Sequence, residues 1–441
     1  MKTICKFLVV SALVLVCSSP AHAQENTVVI VNARIIDGNG GQPLERGSIS
    51  FQGGEVTAVG TDVAVPEGAQ IIDANGRTVM PGLADMHLHL LTGQRHGTDI
   101  LGYQRRLNSL VYAGVTTVLD VGNVLPFVAQ MSQEVEAGRI VGPRIYYVGP
   151  LVDGPDPQYP DISESLVTMA QTPRIVRRLR EAGVHAIKAY GGLSAIEARS
   201  LVGNAREAGL PVIADMLIQN GSEHFVNAGF RAFAHTPASV NPDTIATMLE
   251  RDVQIITTLS GFEGRERARN PEYLDNALIS DTADPRVLEE LRARAMRDPT
   301  PDEQEGHEFR TEYGATLRQN IRLLQNAGVP LITGTDGTAV GLFPGEGLHR
   351  ELELLVLAGL TPLEAISAAT KNAAVLMQAE DEWGTLEVGK RADILIIDGR
   401  PDENINHTRN VVTVIQRGQL IDRDALRFDA ADIPVFEEVD Y

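Results

Sequence analysis

The chain has 441 residues, and its 58 acidic residues outnumber its 38 lysines and arginines, which gives a formal net charge of −20 at pH 7. This acidity disfavours nucleic acid and anionic membrane surfaces as partners. Hydrophobic residues make up 43% of the chain and charged residues 22%, a composition typical of a globular protein and not of a disordered or fibrous one.

The N-terminal segment has the features of a targeting signal. Two lysines precede the apolar run "FLVVSALVLV", and the small residues "AHA" follow it. We therefore predict a secretory signal peptide over residues 1–23, with a mature protein that is periplasmic or secreted. The two cysteines of the chain, Cys5 and Cys17, would leave with this peptide. A metal site in the mature protein would then depend on His, Asp, Glu or Lys.

Both ends of the remaining chain are rich in strand patterns separated by turns. Residues 24–80 contain "NARIIDG" and "SISFQGGEVTAVG", and residues 384–430 contain "ADILIIDG" and "VVTVIQRGQLID". Apolar runs bounded by Gly, Asn and Asp are typical of short strands. We predict that the two segments combine in one small β-sandwich domain, which is followed by a C-terminal tail at 431–441.

The segment 81–383 repeats a pattern in which a helical stretch ends in Ala-Gly and an apolar run begins at once. Five such runs start at "AGVTTVLD", "AGVHAIKAY", "AGLPVIAD", "AGFRAFAH" and "AGVPLITGTD". Glycine just after a helix supplies the left-handed conformation that ends it, and short apolar runs are typical of parallel strands buried on both faces. With "ADMHLHL", "PRIYYVG" and "VQIITTLS" there are eight strands, which predicts an α/β fold of the (β/α)8 TIM-type barrel class. An open doubly wound sheet is the alternative.

Two connections in this segment are longer than the others. Residues 149–165 are rich in Pro, Gly and Asp, and residues 261–310 form a highly charged insertion after the seventh strand. Loops at the carboxyl ends of barrel strands commonly carry function. We expect these two to shape a substrate site.

Polar residues interrupt or end the apolar runs near the carboxyl ends of the strands. His87 and His89 are two residues apart, so in a strand both imidazoles point to the same face. Buried side by side without partners they would be costly, whereas a shared metal ion would satisfy them. Each polar residue alone has a structural explanation, such as a salt bridge or a turn cap, but together they predict a metal site. The candidate ligands are His87, His89, Lys188, Asp215, His235 and Asp336.

Seven phrases in this order resemble the amidohydrolase superfamily, and most closely its imidazolonepropionase- and prolidase-like branch. They are "VMPGLADMHLHL", "AGVTTVLDVG", "AIKAYGGLS", "AFAHTP", "LITGTDG", "GLHRELELLVLAGLTPLEAISAATKNAAVLM" and "GTLEVGKRADILIID". Together they extend over nearly all of the mature chain. The resemblance implies a (β/α)8 barrel with a split β-sandwich, and hydrolysis of an amide or related bond by a metal-activated water.

The resemblance also implies a role for each candidate ligand. His87 and His89 would hold one divalent metal ion together with Asp336, and His235 would hold a second. Lys188 would be carboxylated and would bridge the two ions, with Zn as the expected metal and Mn as the alternative. Asp336 would act as general base and then as general acid, passing a proton from the water to the leaving amine.

The chain departs from the family pattern at Asp215, because the family usually carries a histidine on the fifth strand. Three interpretations are open. Asp215 replaces imidazole as a ligand, since carboxylates bind zinc at nearly the same distance; or the second site is lost and one metal remains; or the protein binds a ligand without turning it over. We favour the first. An additional anion would raise the pKa of the bound water and would favour harder ions such as Mn²⁺.

Two further residues are candidates for substrate binding. Tyr190 shares its strand face with Lys188, although a packing role is open, and His349 begins a helix near the barrel mouth, where a helix-start hydrogen bond would explain it equally. We expect an exported metal-dependent hydrolase of an amide or peptide-like C–N bond in a small molecule, with a dipeptide or N-acyl amino acid implied by the resemblance. Hydrolysis of a lactone, cyclic amide or ester, a non-catalytic binding protein, and a homo-oligomeric state all remain open.

Overall fold

The computed structural model describes residues 27–90, 102–215, 226–267, 269–337 and 341–429. The predicted signal peptide at 1–23 and the tail at 431–441 lie outside the described residues. These two assignments and the limits of the predicted domains therefore stay predictions.

The N-terminal part of the described chain consists of five strands. They are β1 (Val28–Ile35), β2 (Leu44–Gln52), β3 (Glu55–Gly60), β4 (Gln70–Asp73) and β5 (Thr78–Pro81). β2 lies antiparallel to β1 and to β3, whereas β4 and β5 each lie parallel to β1.

Ten parallel strands follow. They are β6 (Leu83–Leu88), β7 (Val115–Asp120), β8 (Arg144–Tyr147), β9 (Leu151–Asp153), β10 (Ser163–Ser165), β11 (Ile187–Ala189), β12 (Val212–Asp215), β13 (Ala232–Ala234), β14 (Gln254–Ile256) and β15 (Leu331–Ile332). β9 and β10 fall in the long connection 149–165, so that segment is partly extended. The other eight are the eight strands that the sequence predicts.

The parallel strands form two sheets that contact each other at both edges. β6, β7 and β8 form one sheet, and the other has the order β10-β9-β11-β12-β13-β14-β15. At one edge the Met86 amide donates to the Thr333 carbonyl oxygen (3.0 Å), and at the other the His185 amide donates to the Tyr147 carbonyl oxygen (2.9 Å). The carboxyl ends of β6 and β15 are therefore neighbours, although they are far apart in the chain.

Alternate residues of these strands belong to two different apolar clusters. One cluster contains Ala84, Met86, Ile213, Ala232 and Ile256 and lies among the strands. The other contains the intervening strand residues together with the buried faces of the helices. This period of two is the pattern of strands buried on both faces, one toward other strands and one toward helices.

The C-terminal strands join the N-terminal ones. β16 (Ile394–Ile397), β17 (Val411–Gln416) and β18 (Gln419–Leu420) complete an eight-stranded sheet in which β16 lies antiparallel to β5. The order is β18-β17-β16-β5-β1-β2-β3, with β4 beside β1. The two chain ends thus share one sheet, as expected, while its form as a two-layered sandwich stays a prediction.

Helices lie between the strands of the barrel segment. Those outside the insertion at 261–310 are Tyr103–Tyr112, Leu125–Glu136, Thr172–Glu181, Ala195–Glu207, Pro242–Glu250, Glu346–Ala358, Pro362–Ala368 and Lys371–Leu376. The glycine of each Ala-Gly pair has the positive φ that ends a helix, at Gly114, Gly183, Gly209, Gly229 and Gly328. Within the described residues, no helix is long and apolar enough to cross a membrane.

The charged insertion is helical and not an open loop. Its helices are Leu259–Arg267, Pro271–Leu274, Ala277–Ser280, Pro285–Met296 and Pro301–Ala327. Four of them begin after a residue whose side chain accepts a hydrogen bond from the first turn, namely Asn270, Asn276, Asp284 and Thr300. Such caps satisfy otherwise unpaired amides, and proline fits the first turn. The sequence contains these cap residues, but the prediction of a loop over 261–310 did not take them into account.

Candidate metal centre

Two histidines of the predicted set lie on one face at the end of β6, and the structure places Asp336 opposite them. The His87 and His89 rings have centroids 5.7 Å apart. Their Nε2 atoms lie 3.7 and 3.6 Å from the same Asp336 oxygen. His89 Nδ1 lies 3.1 Å from the Gly122 carbonyl oxygen, to which it donates. That contact leaves His89 Nε2 with its lone pair toward Asp336, as a metal ligand requires.

Asp336 reaches this position because β15 ends close against β6. The Asp336 amide donates to the His87 carbonyl oxygen at 2.7 Å, and Asp336 has a left-handed φ of 52°. A side chain at Gly334 would place its Cβ 2.6 Å from both His87 Cβ and Ile256 Cγ2. Only glycine fits there, and its small size allows the acid-bearing turn to approach the histidines.

The remaining three predicted residues form a second group beside the first. Asp215 Oδ2 lies 3.2 Å from Lys188 Nζ and 3.3 Å from His235 Nε2. All three side chains are buried. The His235 ring also lies 4.6 Å from the His87 ring, measured between centroids, so the two groups adjoin. The structure thus brings all six predicted ligands together at the carboxyl ends of five strands.

The donor set fits a divalent metal ion. Ligand atoms of His87, His235 and Asp336 all lie within 4.8 Å of one another. Each histidine Nε2 faces a carboxylate oxygen at 3.3–3.7 Å, which is longer than a direct charge-assisted hydrogen bond of about 2.7–2.9 Å. Burial lowers the pKa of His87, and nearby Lys188 lowers it further. A neutral imidazole is the form that binds metals.

A buried nitrogen at the centre supports this fit. Lys188 Nζ has no hydrogen-bond partner within the described ranges. Lys188 lies near the Asp215 carboxylate without reaching hydrogen-bond geometry. Buried polar atoms without a protein partner are rare in folded proteins, and a bound ion or water commonly satisfies them.

Sequence reasoning missed a carboxylate that joins the strand ends carrying His87 and Asp336. Asp85 is buried, and it accepts hydrogen bonds from the His87 amide (3.2 Å), the Thr335 amide (3.0 Å) and the Thr335 hydroxyl (2.6 Å). Burial raises the pKa of Asp85 to about 7. Its signal was its place in "ADMHLHL", two residues before His87 and therefore on the same strand face.

A second missed carboxylate lies behind His89. Asp120 is buried and accepts from the Leu90 amide (2.9 Å), the Gly122 amide (3.2 Å) and the Asn123 side-chain amide (2.8 Å). The carbonyl group of Gly122 in turn accepts from His89. Asp120 thereby fixes the turn that orients the His89 ring. As the last residue of β7 it ends an apolar run, like the predicted ligands.

The two candidates for substrate binding lie in different environments. The Tyr190 ring packs edge-on against Tyr159, with centroids 5.8 Å apart. Burial raises the pKa of Tyr190, and the nearby carboxylates Asp215 and Asp336 raise it further, so this residue lies beside the centre. Its role in substrate binding stays a prediction.

His349 lies away from these contacts. It is completely buried, with Nε2 2.9 Å from the Ala113 carbonyl oxygen and Nδ1 2.9 Å from the Thr408 hydroxyl. Both ring nitrogens are therefore occupied by the protein itself. These contacts favour the structural alternative for His349 over a substrate contact.

Comparisons with known proteins agree with this geometry. The amidohydrolase family model matches residues 78–421. The chain is 26% identical to the imidazolonepropionase of Klebsiella pneumoniae (strain 342), over 86% of this chain and 93% of that protein. A putative prolidase from Bifidobacterium longum has a similar structure, with a TM-score of 0.72 and 25% identity over 91% of this chain and 98% of that one.

A Xaa-Pro dipeptidase with bound methionine shares the fold, with a TM-score of 0.71 and 22% identity over 90% of this chain and 100% of that one. These neighbours imply that the parallel strands belong to a TIM-type barrel. Members of the matched family are generally metal-dependent, and the cluster of His87, His235 and Asp336 could hold a metal. The chain belongs to the amidohydrolase family and is a hydrolase that acts on carbon–nitrogen bonds.

Proposed function

We propose that this protein is an exported, metal-dependent amidohydrolase that cleaves an amide or peptide-like C–N bond, with a dipeptide or N-acyl amino acid as substrate. The observation that carries the proposal is Asp336, whose carboxylate lies 3.6–3.7 Å from the Nε2 atoms of His87 and His89. The export part rests on the lysines, apolar run and "AHA" of residues 1–23.

His87, His89 and Asp336 would hold one divalent ion, and His235 with Asp215 would hold a second. Lys188 would take part as the carbamate that its neutral amine forms with CO2, with release of a proton; its buried amine has no hydrogen-bond partner in the described part of the chain. Metal ions at such a site lower the pKa of a bound water and polarise a carbonyl group. The extra carboxylate of Asp215 makes Mn²⁺ an alternative to Zn²⁺, since carboxylate ligands suit harder ions.

The chain itself would move the proton. The Asp336 side chain is 30% exposed, whereas that of His87 is 2% exposed, so the carboxylate reaches the open side of the centre. Its amide is fixed to the His87 carbonyl group at 2.7 Å. Asp336 can therefore accept a proton from the attacking water and return it to the leaving amine without a backbone rearrangement.

Tyr190 is the residue placed best to orient the substrate. It comes directly after β11, two residues after Lys188, and its ring is supported edge-on by Tyr159 from the connection 149–165. A peptide-like substrate is favoured because the similar structures include a Xaa-Pro dipeptidase and a putative prolidase. A hydroxyl near the scissile carbonyl group would then add a directional contact.

The test combines metal content with a substrate panel. Mature protein purified without chelator is analysed for metal per chain and is assayed with dipeptides, N-acyl amino acids, lactones and a cyclic amide. We expect close to two equivalents of metal, and hydrolysis of the first two classes that a chelator abolishes and added metal restores. His89→Gln should lose metal and activity, whereas the matched control His407→Gln should keep both.

The other possible results would favour one of the alternative functions or contradict the proposal. One equivalent of metal with activity would leave Asp215 outside the ligand set. Turnover of lactones or the cyclic amide alone would replace the peptide-like substrate class. Metal-bound protein without turnover of any class would favour the non-catalytic binding protein. Metal-free protein that also fails to take up added metal would contradict the proposal.

A further inference from the structure

The side chain of Glu351 is a buried carboxylate that the proposed chemistry does not use. It lies on the helix Glu346–Ala358 and is completely buried. Its oxygens accept hydrogen bonds from the Thr257 hydroxyl, the Leu259 amide (2.9 Å) and the Ser260 amide (2.6 Å). All of these donors are neutral groups of the short segment Thr257–Ser260, which leads from the end of β14 into the first residues of the helix Leu259–Arg267. Through these hydrogen bonds, Glu351 holds the segment Thr257–Ser260 against the helix Glu346–Ala358.

The segment that Glu351 holds has a strained backbone. Thr258 has a φ of 50°, a left-handed conformation that is a genuine outlier for a β-branched residue. Such conformations persist only where the surroundings over-determine them, and they cluster at functional sites. The three hydrogen bonds to Glu351 fix the residues on both sides of Thr258. They therefore supply the surroundings that hold this residue in place.

The same segment is joined to the end of β13, where His235 lies. The Thr257 carbonyl oxygen accepts from the Thr236 amide (3.2 Å) and from the Thr236 hydroxyl (2.8 Å). The Thr258 hydroxyl lies 2.8 Å from His235 Nδ1. His235 itself has a left-handed φ of 72°. Two strained residues on neighbouring strand ends therefore face each other and share a hydrogen bond.

This hydrogen bond fixes the orientation of the His235 ring, because it holds Nδ1 at the Thr258 hydroxyl. Nε2 then faces the candidate metal centre, 3.3 Å from Asp215 Oδ2. The Thr258 hydroxyl can accept from Nδ1–H, which is the form of the ring that leaves the Nε2 lone pair for a metal ion. If Thr258 is displaced, the ring loses this contact and Nε2 is no longer held toward the centre. Ligand histidines generally depend on such an outer partner for their tautomer and orientation.

We propose that Glu351 is a positioning residue for the metal centre, which acts through Thr258 to hold the His235 ring with Nε2 toward the other candidate ligands. The inference rests on the proposed metal-dependent function for its role, although the ring orientation itself does not require a bound metal. Two acids on the same helix differ from Glu351 in their contacts: Glu346 pairs with Arg267 and Arg409, and Glu353 pairs with Arg350.

The first measurement is metal affinity by competition with a chromophoric chelator. Glu351→Gln keeps the size of the side chain but replaces an acceptor oxygen with an amide group. Thr258→Val removes the hydroxyl at nearly constant volume, whereas Thr258→Ser keeps the hydroxyl and removes only the methyl group. We expect the first two variants to bind Zn²⁺ and Mn²⁺ about 10- to 100-fold more weakly, as for other outer partners of ligand histidines. Thr258→Ser and the control Glu353→Gln should stay within about threefold of the wild type.

A double variant separates positioning from a general loss of stability. If Glu351 acts through Thr258, then Glu351→Gln combined with Thr258→Val should bind metal no more weakly than the worse single variant, within about threefold. Multiplied effects of the two substitutions would overturn the proposal. So would an unchanged metal affinity in Glu351→Gln, even if its melting temperature fell.

The second measurement follows the His235 ring directly in metal-free protein. Nitrogen NMR shifts of ¹⁵N-labelled histidine report the protonation and hydrogen bonding of each ring nitrogen, and comparison with His235→Gln identifies the signals of His235. We expect the same His235 shifts in the wild type and in Glu353→Gln, and a changed Nδ1 shift in Glu351→Gln and Thr258→Val, because both variants lose the contact with the Thr258 hydroxyl. Unchanged His235 shifts in Glu351→Gln would refute the proposal. A wild type that binds no metal would contradict the proposed function, while these shifts would still decide this inference.

Discussion

The burial of His349 makes the stability of the folded chain depend on pH. Burial, together with the nearby charge of Arg409, lowers the pKa of His349 from the ordinary 6.5 to about 3. The folded state therefore excludes a proton that the unfolded chain binds below its ordinary pKa. Stability is complete above pH 6.5 and is lost as the pH falls from 6.5 toward 3, because the unfolded state binds more protons in this window.

The magnitude follows from the difference between the two pKa values. Between about pH 7.5 and about pH 5, protonation of the unfolded chain at this one site lowers the free energy of unfolding by about 2 kcal/mol. For a chain of this size the loss corresponds to a decrease in melting temperature of about 2 °C. His349→Gln removes the titrating ring, while its amide group can still donate toward the Ala113 carbonyl oxygen.

The assay is thermal unfolding of the wild type and His349→Gln at both pH values. We expect the variant to be less stable at the higher pH, because one of two buried hydrogen bonds is lost. The difference between the two proteins should then narrow by about 2 kcal/mol at the lower pH. His307→Gln, at an exposed position, is the control and should follow the wild type. Parallel pH dependences of wild type and His349→Gln would refute the reasoning.

Four further predictions concern the metal centre, its packing and the N-terminus. Asp336→Asn should lower kcat by about two to four orders of magnitude with little change in melting temperature, because the proton acceptor is lost; equal kcat at saturating substrate would exclude Asp336 as the base. Asp215→His should raise the preference for Zn²⁺ over Mn²⁺ and move the acidic limb of the pH–rate profile to lower pH, and unchanged metal content and profile would remove Asp215 from the ligand set. Gly334→Ala should destabilise the fold by about 1–3 kcal/mol and weaken metal binding, because its Cβ would lie 2.6 Å from His87 Cβ; unchanged unfolding and metal affinity would contradict the close packing. N-terminal sequencing of exported protein should begin at Gln24, and an uncleaved N-terminus would contradict the signal peptide.

Much of the site could be predicted because its ligands interrupt strongly apolar strands. His87, Lys188 and His235 stand out because a buried polar group needs a partner. The sequence pattern does not show which partner each one finds. Asp215 lies between Lys188 and His235, a neighbourhood that depends on the order of β11, β12 and β13 in the sheet. His349 is the opposite example. Its position near a helix start suggested a substrate contact, but its contacts with Thr408 and Ala113 favour a structural role.

The sequence by itself determined the eight parallel strands, the glycine-ended helices and the histidine pair at the end of β6. These features depend on periodicity and on local backbone preference, which act over a few residues. Only the tertiary structure decided that Asp85 joins β6 to β15, or that Glu351 holds a turn 91 or more residues earlier in the chain. From the sequence alone, a glutamate that is buried on a helix and holds a distant turn cannot be distinguished from an exposed one. The hydrogen-bond donors of these carboxylates come from strand ends that only the folded arrangement of the two sheets brings together, because hydrogen bonding in the interior is set by proximity in space and not in sequence.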